Sequence, residues 1–237
     1  MKFSVKGFVA MSLNDWDGMV ASTLYLGGCN FRCPYCHNSD IVLFPDDFET
    51  IDISEILVYV KEHNDFLDGV VISGGEPCTH RDLPELAETL RGAGVRVKLD
   101  TNGSYPDVVE SLIRRELIDY VAMDVKAPLD FESYSRSAGI TDPRLVERAR
   151  DSVDLLLDGK VDYEFRTTVV PALHRASDLA RIADQIRGAR RFVIQNFKPR
   201  SPIDPQFLEE TPYNPERLEE FQKMAAASVE ECLLRGV

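Results

Sequence analysis

Cysteine is scarce in this 237-residue chain, and the five present are an odd number that cannot close into a complete disulfide framework. A secretory leader is lacking as well. Met1-Lys2-Phe3-Ser4-Val5-Lys6 holds no long apolar run, so the protein is read as cytoplasmic, where thiols stay reduced. No hydrophobic stretch approaches the roughly 20 residues of a membrane-spanning helix, which removes the membrane as a partner. Positive charge is also short. Lys and Arg number 27 against 40 Asp and Glu, a net charge of −13, which repels polyanions and excludes nucleic acid as the expected partner. No repeat, low-complexity tract or linker interrupts the chain. With 44% hydrophobic and 28% charged residues it reads as one domain over 1–237, with an N-terminal extension or hairpin at 1–20, a core at 21–200 and a C-terminal helical segment at 201–237.

Within the core, short apolar runs alternate with helical patterns. The runs Ser22 to Leu26, Gly69 to Ile72, Val95 to Leu99, Tyr120 to Val125, Tyr163 to Val170 and Arg191 to Phe197 have the length and composition of strands buried on both faces of a parallel sheet. Helices are expected from Ser54 toward His63, over Leu83 to Arg91, from Pro106 to Arg115, from Asp142-Pro143 to Leu157, from Ser177 to Ile186 and from Pro215 to Leu234. This is a βα-repeat α/β fold. Polar residues gather just after strand ends, at Cys29, Gly74-Gly75-Glu76, Asp100-Thr101-Asn102-Gly103, Asp124 and Lys126. That favours a site drawing on several adjacent strands, as in a barrel or part of one.

What is present in place of a disulfide framework is a triplet. Cys29, Cys33 and Cys36 have the spacing CxxxCxxC, an incomplete metal site if a four-iron cluster takes four thiolates. An iron left open is where a ligand binds and leaves, so the triplet points to catalysis rather than structure. A structural zinc ion is the competing reading and would need His37, His80 or Cys78 as a fourth ligand. Ser73-Gly74-Gly75-Glu76-Pro77 follows a buried strand. On its own it is ordinary turn chemistry, though the paired glycines admit close approach of a ligand and Glu76 offers an acceptor for an ammonium group.

The triplet with Tyr35 before its third cysteine, followed by Gly74-Gly75-Glu76-Pro77, resembles the radical S-adenosylmethionine (SAM) superfamily. The resemblance implies a partial (βα)6 TIM-like barrel, a [4Fe-4S] cluster on Cys29, Cys33 and Cys36, and reductive cleavage of SAM to a 5′-deoxyadenosyl radical. Tyr35 would lie against the adenine, and Gly74, Gly75 and Glu76 would receive the methionine ammonium. Asp100, Thr101, Asn102 and Asp124 would contribute to the cofactor site, with a monovalent cation as a further candidate ligand of the hard oxygens. Lys126 and Arg166 would act in catalysis. Read from the residues alone, Asp124 and Lys126 form a strand-end ion pair equally well, and Arg166 fits an outward-facing strand position.

The stretch Gly27 to Asn38, including His37-Asn38, is most similar to the glycyl-radical-enzyme activases. Ser12-Leu13-Asn14-Asp15-Trp16-Asp17-Gly18 resembles a run in activating proteins of anaerobic ribonucleoside-triphosphate reductase, with Asp17 in place of a proline. This implies a glycyl radical enzyme as partner, anaerobic ribonucleotide reductase first among the candidates, with Asp15 contacting its glycine loop. A reduced flavodoxin or ferredoxin would donate the electron. Two alternatives stand beside it: a small-molecule enzyme similar to 7-carboxy-7-deazaguanine synthase, and a non-catalytic metal or electron-transfer module. Cys78, Cys232, His174 and the Lys198-Pro199-Arg200-Ser201-Pro202 turn carry no assigned role.

Overall fold

The computed structural model describes residues 3–236. Its strands are β1 (Val5–Ser12), β2 (Ala21–Leu26), β3 (Gly69–Gly74), β4 (Arg96–Thr101), β5 (Tyr120–Asp124), β6 (Asp162–Val169), β7 (Arg191–Asn196) and β8 (Glu231–Arg235). The helices are α1 (Ser39–Leu43), α2 (Ile53–Glu62), α3 (Leu83–Gly92), α4 (Pro106–Arg114), α5 (Phe131–Ala138), α6 (Arg144–Leu157), α7 (Ala176–Gln185) and α8 (Pro215–Ala225). The strands make one mostly parallel eight-stranded sheet in chain order, with β1 antiparallel to β2. The six expected strands are β2 to β7, each within two residues of its expected bounds. Val70, Val71 and Ile72 of β3 are all fully buried, so neighbouring residues alternating between the two faces of this strand are both covered.

The chain divides into two compact units. The first comprises Met1–Asn30, Asp40–Thr101 and Asp107–Val121. Its N-terminal segment is a hairpin strand followed by a loop that folds onto the sheet. Trp16, 4% exposed, packs on Ala21 and Val71, and the Arg96 guanidinium lies 5.2 Å from its ring centroid. The Val20 N–H donates to Asp68 Oδ2, and the Asp68 N–H donates back to the Val20 carbonyl, each at 2.8 Å. Gly69 opens β3 beneath the indole, and a Cβ there would stand 2.6 Å from Trp16 Cζ3 and 3.0 Å from the Arg96 carbonyl oxygen.

The second unit comprises Phe31–Ser39, Asn102–Pro106 and Ala122–Val237. Phe165, Phe192, Ile194, Leu179, Ile182 and Phe221 are buried in it. Helix α5 begins at Asp130, whose carboxylate accepts the Ser133 N–H at 2.9 Å, an N-cap of the usual chemistry. The Ser152 hydroxyl on α6 donates to the Gly103 carbonyl at 2.6 Å and so ties down the loop after β4.

Three expectations need correction. The last helix ends at Ala225 rather than Leu234. The Glu230 and Glu231 N–H groups bond to the Ala189 and Arg190 carbonyls and lead the chain into β8, where Cys232 stands opposite Phe192. Cys232-Leu233-Leu234 suits either period, and the open edge of β7 decides between them. The segment 201–237 is therefore not wholly helical, and Cys232 is a half-buried strand residue whose thiol burial pushes up to about 12. Helix α2 is capped by Asp52, which accepts the Ser54 N–H at 2.8 Å, so Ser54 is the capped residue rather than the cap.

Gly69→Ala should destabilise the fold by roughly 1–3 kcal/mol, the usual cost of overpacking. In urea denaturation, the double variant with Trp16→Ala should show less than the sum of the two single losses, because the clash partner is gone.

Candidate functional site

In the first unit the end of β2 and the turn after β3 are joined backbone to backbone. The Gly75 N–H donates to the Leu26 carbonyl and the Glu76 N–H to the Gly28 carbonyl, both at 2.9 Å. A Cβ on Gly75 would lie 1.7 Å from the Gly28 carbonyl oxygen and 3.2 Å from Cys29 Cβ. The second glycine of the turn is thus required by chain packing beside the first cysteine. Glu76 is fully buried. Its Oε1 accepts the Cys78 N–H at 2.9 Å and the Thr101 hydroxyl at 2.8 Å, which commits one carboxylate oxygen to holding the turn and the end of β4. Cys78 is buried, 3.7 Å from Thr101 Oγ1. Burial and the Glu76 carboxylate hold its thiol well above the ordinary cysteine value, so it stays protonated and inert.

Asp100 accepts the Ser73 hydroxyl at 3.1 Å on Oδ2, and its Oδ1 is 3.5 Å from Lys98 Nζ. The Lys98 side chain is 1% exposed. Its ammonium donates to the Asp15 carbonyl and lies 5.7 Å from the Tyr120 ring centroid. The Asp15 carboxylate accepts the Thr23 hydroxyl at 2.8 Å. Asp15 and Asp100 are brought to one place by a lysine that the sequence reading passed over. Its signal was a cation in the middle of a strand otherwise buried on both faces, where an ammonium survives only if partnered.

In the second unit the loop carrying the other two cysteines is gripped from both sides. The Arg32 N–H donates to the Ala138 carbonyl at the end of α5 at 2.9 Å, and Phe31 meets Tyr134 edge to face at 6.2 Å. From the other side, His37 Nε2 bonds to the Lys198 carbonyl at 2.7 Å while its ring stacks on Phe197, and the Asp204 N–H donates to the Pro34 carbonyl at 2.9 Å. Cys33 is buried and Cys36 half-buried, with burial pushing the Cys36 thiol up. Tyr35 sits among His174, Phe197 and Phe207, and its hydroxyl is buried with no hydrogen-bond partner among the described residues.

Asp124, at the end of β5, is bracketed by two cations, Lys126 Nζ at 2.9 Å on one oxygen and Arg166 Nε at 3.1 Å on the other. Arg166 therefore points into this cluster, where it is 8% exposed. Burial would raise the Asp124 carboxyl, but the guanidinium and ammonium prevail and hold it at about 2. Burial would lower Lys126, but the Asp124 carboxylate keeps it well above the usual lysine value. His174 lies beneath. The Val170 N–H donates to its Nδ1 at 3.0 Å, which leaves Nε2 to donate to the Lys126 carbonyl at 2.8 Å, and burial lowers its pKa. His174 is thus a neutral strut for the Lys126 backbone. Asn102 Oδ1 accepts the Ser104 N–H and hydroxyl, a turn-forming role.

The radical SAM superfamily pattern matches residues 24–186, more than half of the chain. The chain belongs to the radical SAM superfamily. A protein of Methanocaldococcus jannaschii, provisionally named a glycyl-radical enzyme activating enzyme, is 33% identical over 240 residues, 100% of this chain and 98% of that one. A 7-carboxy-7-deazaguanine synthase of Aquifex aeolicus is 34% identical over 89 residues, 37% of this chain and 38% of that protein. Among solved structures, a radical SAM methyltransferase from Sphaerobacter thermophilus has the same fold, with a TM-score of 0.68 at 15% identity over 93% of this chain and 67% of that one. The radical SAM partial barrel expected from the sequence is the fold observed.

Membership of the superfamily implies a [4Fe-4S] cluster and SAM, and this radical SAM chain has groups that fit them. No cysteine is bound in a disulfide among the described residues, three of the five stand in the cysteine run, and thiolates are the ligands iron–sulfur clusters take. The partnerless Tyr35 hydroxyl is a polar group that a bound molecule would complete. Among the described residues no three His, Cys, Asp or Glu side chains converge as they would on a single ion. A monovalent cation fits poorly, because Asp100 already faces the Lys98 ammonium and Asp124 is held between Lys126 and Arg166.

Asp124→Asn should cost roughly 3 kcal/mol at pH 7, because it strands two cations packed around one carboxylate. The folded carboxyl titrates below its unfolded value of about 3.9, so this stability is present above that pH and is lost as pH falls toward 2. Urea denaturation of wild type and variant from pH 7 to 2.5 should show the gap closing only below about pH 4.

Proposed function

We propose that this radical SAM enzyme activates a glycyl radical enzyme, with anaerobic ribonucleotide reductase as the first candidate partner. Cys29, Cys33 and Cys36 would hold the cluster, and the chemistry it would supply when bound is one-electron reductive cleavage of SAM to methionine, with a hydrogen atom of a glycine ending on 5′-deoxyadenosine. The chain's own residues prepare the site. Glu76 would offer its carboxylate to the SAM ammonium while its Oε1 contacts keep the turn rigid. Lys126 and Arg166 form a cluster with Asp124 that carries one net positive charge, suited to the SAM carboxylate. Tyr35, with its unspent hydroxyl, would line the adenine side.

The observation that carries this reading over a small-molecule substrate is the span of the likeness. Similarity to the relative named as an activase runs the whole chain, whereas likeness to the deazaguanine synthase stops after 89 residues. Asp15 would face the glycine loop, since its carboxylate is only half-buried on a loop held by Lys98 and Trp16.

Three measurements test this. After anaerobic reconstitution, alanine at Cys29, Cys33 or Cys36 should abolish most iron binding, while Cys78→Ala and Cys232→Ala leave it unchanged. Glu76→Gln should weaken SAM binding about tenfold with the cluster intact, since a neutral acceptor replaces a charge-assisted one. Electron paramagnetic resonance of anaerobic ribonucleotide reductase incubated with the protein, SAM and reductant should show a glycyl doublet. Turnover of a small purine-like substrate without that doublet would replace the activase reading.

A further inference from the structure

The hydroxyl of Tyr25 has no place in the site described above, yet the sheet sets it on the face of the first unit that carries Asp15 and Asp100. Gly7 on β1, Tyr25 on β2 and Ser73 on β3 are register partners and form one row across three strands. The Ser73 hydroxyl carries that row on to Asp100 of β4, 3.1 Å away. Two residues back along β2, and so on the same face, Val9, Thr23, Val71 and Lys98 make the next row. There the Thr23 hydroxyl holds the Asp15 carboxylate and the Lys98 ammonium holds the Asp15 carbonyl. Tyr25 is thus flanked by two aspartates, each fixed by a hydroxyl of the sheet.

The surroundings of this hydroxyl define what it can bind. Tyr25 is half-buried, and its hydroxyl makes no hydrogen bond among the described residues. Burial first, then the Asp15 and Asp100 carboxylates, raise its pKa above the ordinary tyrosine value, so at neutral pH it is a standing donor. On the β1 side Gly7 puts no side chain over the ring, where even a Cβ would come within 3.4 Å of Tyr25 Cβ, and Val9 in the next row is 39% exposed. The Lys98 ammonium lies deeper, its side chain 1% exposed against 17% for Asp100, so the charge this face shows is carboxylate. A ligand carrying a carboxylate or phosphate is repelled there. A neutral group that accepts from the phenol and donates to a carboxylate is favoured, and a trans peptide unit carries both functions, with side chains that can rest on Val9.

We propose that Tyr25 is a specificity-determining residue, whose hydroxyl donates to a backbone carbonyl of an extended, uncharged segment of the partner protein. The inference rests on the activase reading above and deepens it, because Asp15, the residue assigned there to the glycine loop, shares this face with Tyr25. The phenol supplies a donor without neutralising either carboxylate, so Asp15 keeps its capacity to accept main-chain N–H groups. Tyr25 holds the segment and does not act on the hydrogen atom that is removed. Its contribution therefore falls on affinity for the partner rather than on the rate of the bound complex.

The test uses the reconstituted full chain as wild type, as Tyr25→Phe, and with 4-aminophenylalanine in place of Tyr25, which keeps a donor at the same ring position. The initial rate of glycyl-radical formation is followed against the concentration of anaerobic ribonucleotide reductase. Tyr25→Phe should raise KM for the reductase about fivefold with kcat unchanged, and 4-aminophenylalanine should recover most of that loss. SAM affinity and SAM cleavage without the reductase should be equal in all three proteins. An unchanged KM in Tyr25→Phe would overturn the proposal. So would a parallel loss of SAM affinity or of partner-free SAM cleavage, which would make Tyr25 a support of the cofactor site. A wild type that cleaves SAM but yields no glycyl doublet would refute the activase reading, and the inference with it, whereas a doublet formed with equal KM refutes the inference alone.

Discussion

The contact on which the site depends is the one between two glycine backbones. With Gly75 pressed against the Gly28 carbonyl, two hydrogen bonds lock the turn after β3 to the end of β2, and Cys29 is placed by main chain rather than by side-chain packing. Main-chain placement is stiff. The residues that approach one another have no rotamers to lose, and any side chain added at Gly75 must force the backbones apart. Glu76 then extends this rigidity to β4 through the Thr101 hydroxyl. A motif that looks like a ligand-binding loop is thus first a device of packing, and its exposed chemistry rests on that scaffold.

Buried charge is handled by different means in the two units. In the first, a carbonyl, the Asp100 carboxylate at 3.5 Å and an aromatic face share the work of replacing water around the Lys98 ammonium. In the second, Asp124 takes both its partners at hydrogen-bond distance, and the surplus positive charge faces the region of Tyr35 and Cys33. Such groups cost too much to bury for packing alone, which is why they concentrate where a charged ligand is to be held.

How much of this was legible follows from the kind of signal each feature leaves. Parallel strands buried on both faces write themselves as uninterrupted apolar runs, so β2 to β7 could be read directly. β8 could not, because Cys232-Leu233-Leu234 fits a helix face or a strand, and only the unpaired edge of β7 chooses. The cysteine triplet and the Gly-Gly-Glu-Pro turn were legible as a pair because local spacing carries their chemistry. Lys98 and His174 were not recognised as supports, since each works through a partner far away in sequence: Asp15 lies 83 residues from Lys98, and Lys126 lies 48 from His174. Helix α5 was missed for another reason. Phe131-Glu132-Ser133-Tyr134-Ser135-Arg136 has little apolar periodicity, and its existence rests on the Asp130 cap and on the burial of Tyr134.

Trp16 is the one tryptophan in the chain, and it is packed on Gly69 with the Arg96 guanidinium beside its indole. That makes the molecule self-labelled at the loop that carries Asp15. The indole is shielded from water while the loop is docked, so lifting the loop shifts its emission to the red, with no competing signal from another tryptophan. Fluorescence from the protein without its cluster therefore reads the seating of that one segment directly, with no iron–sulfur absorption overlapping the indole emission.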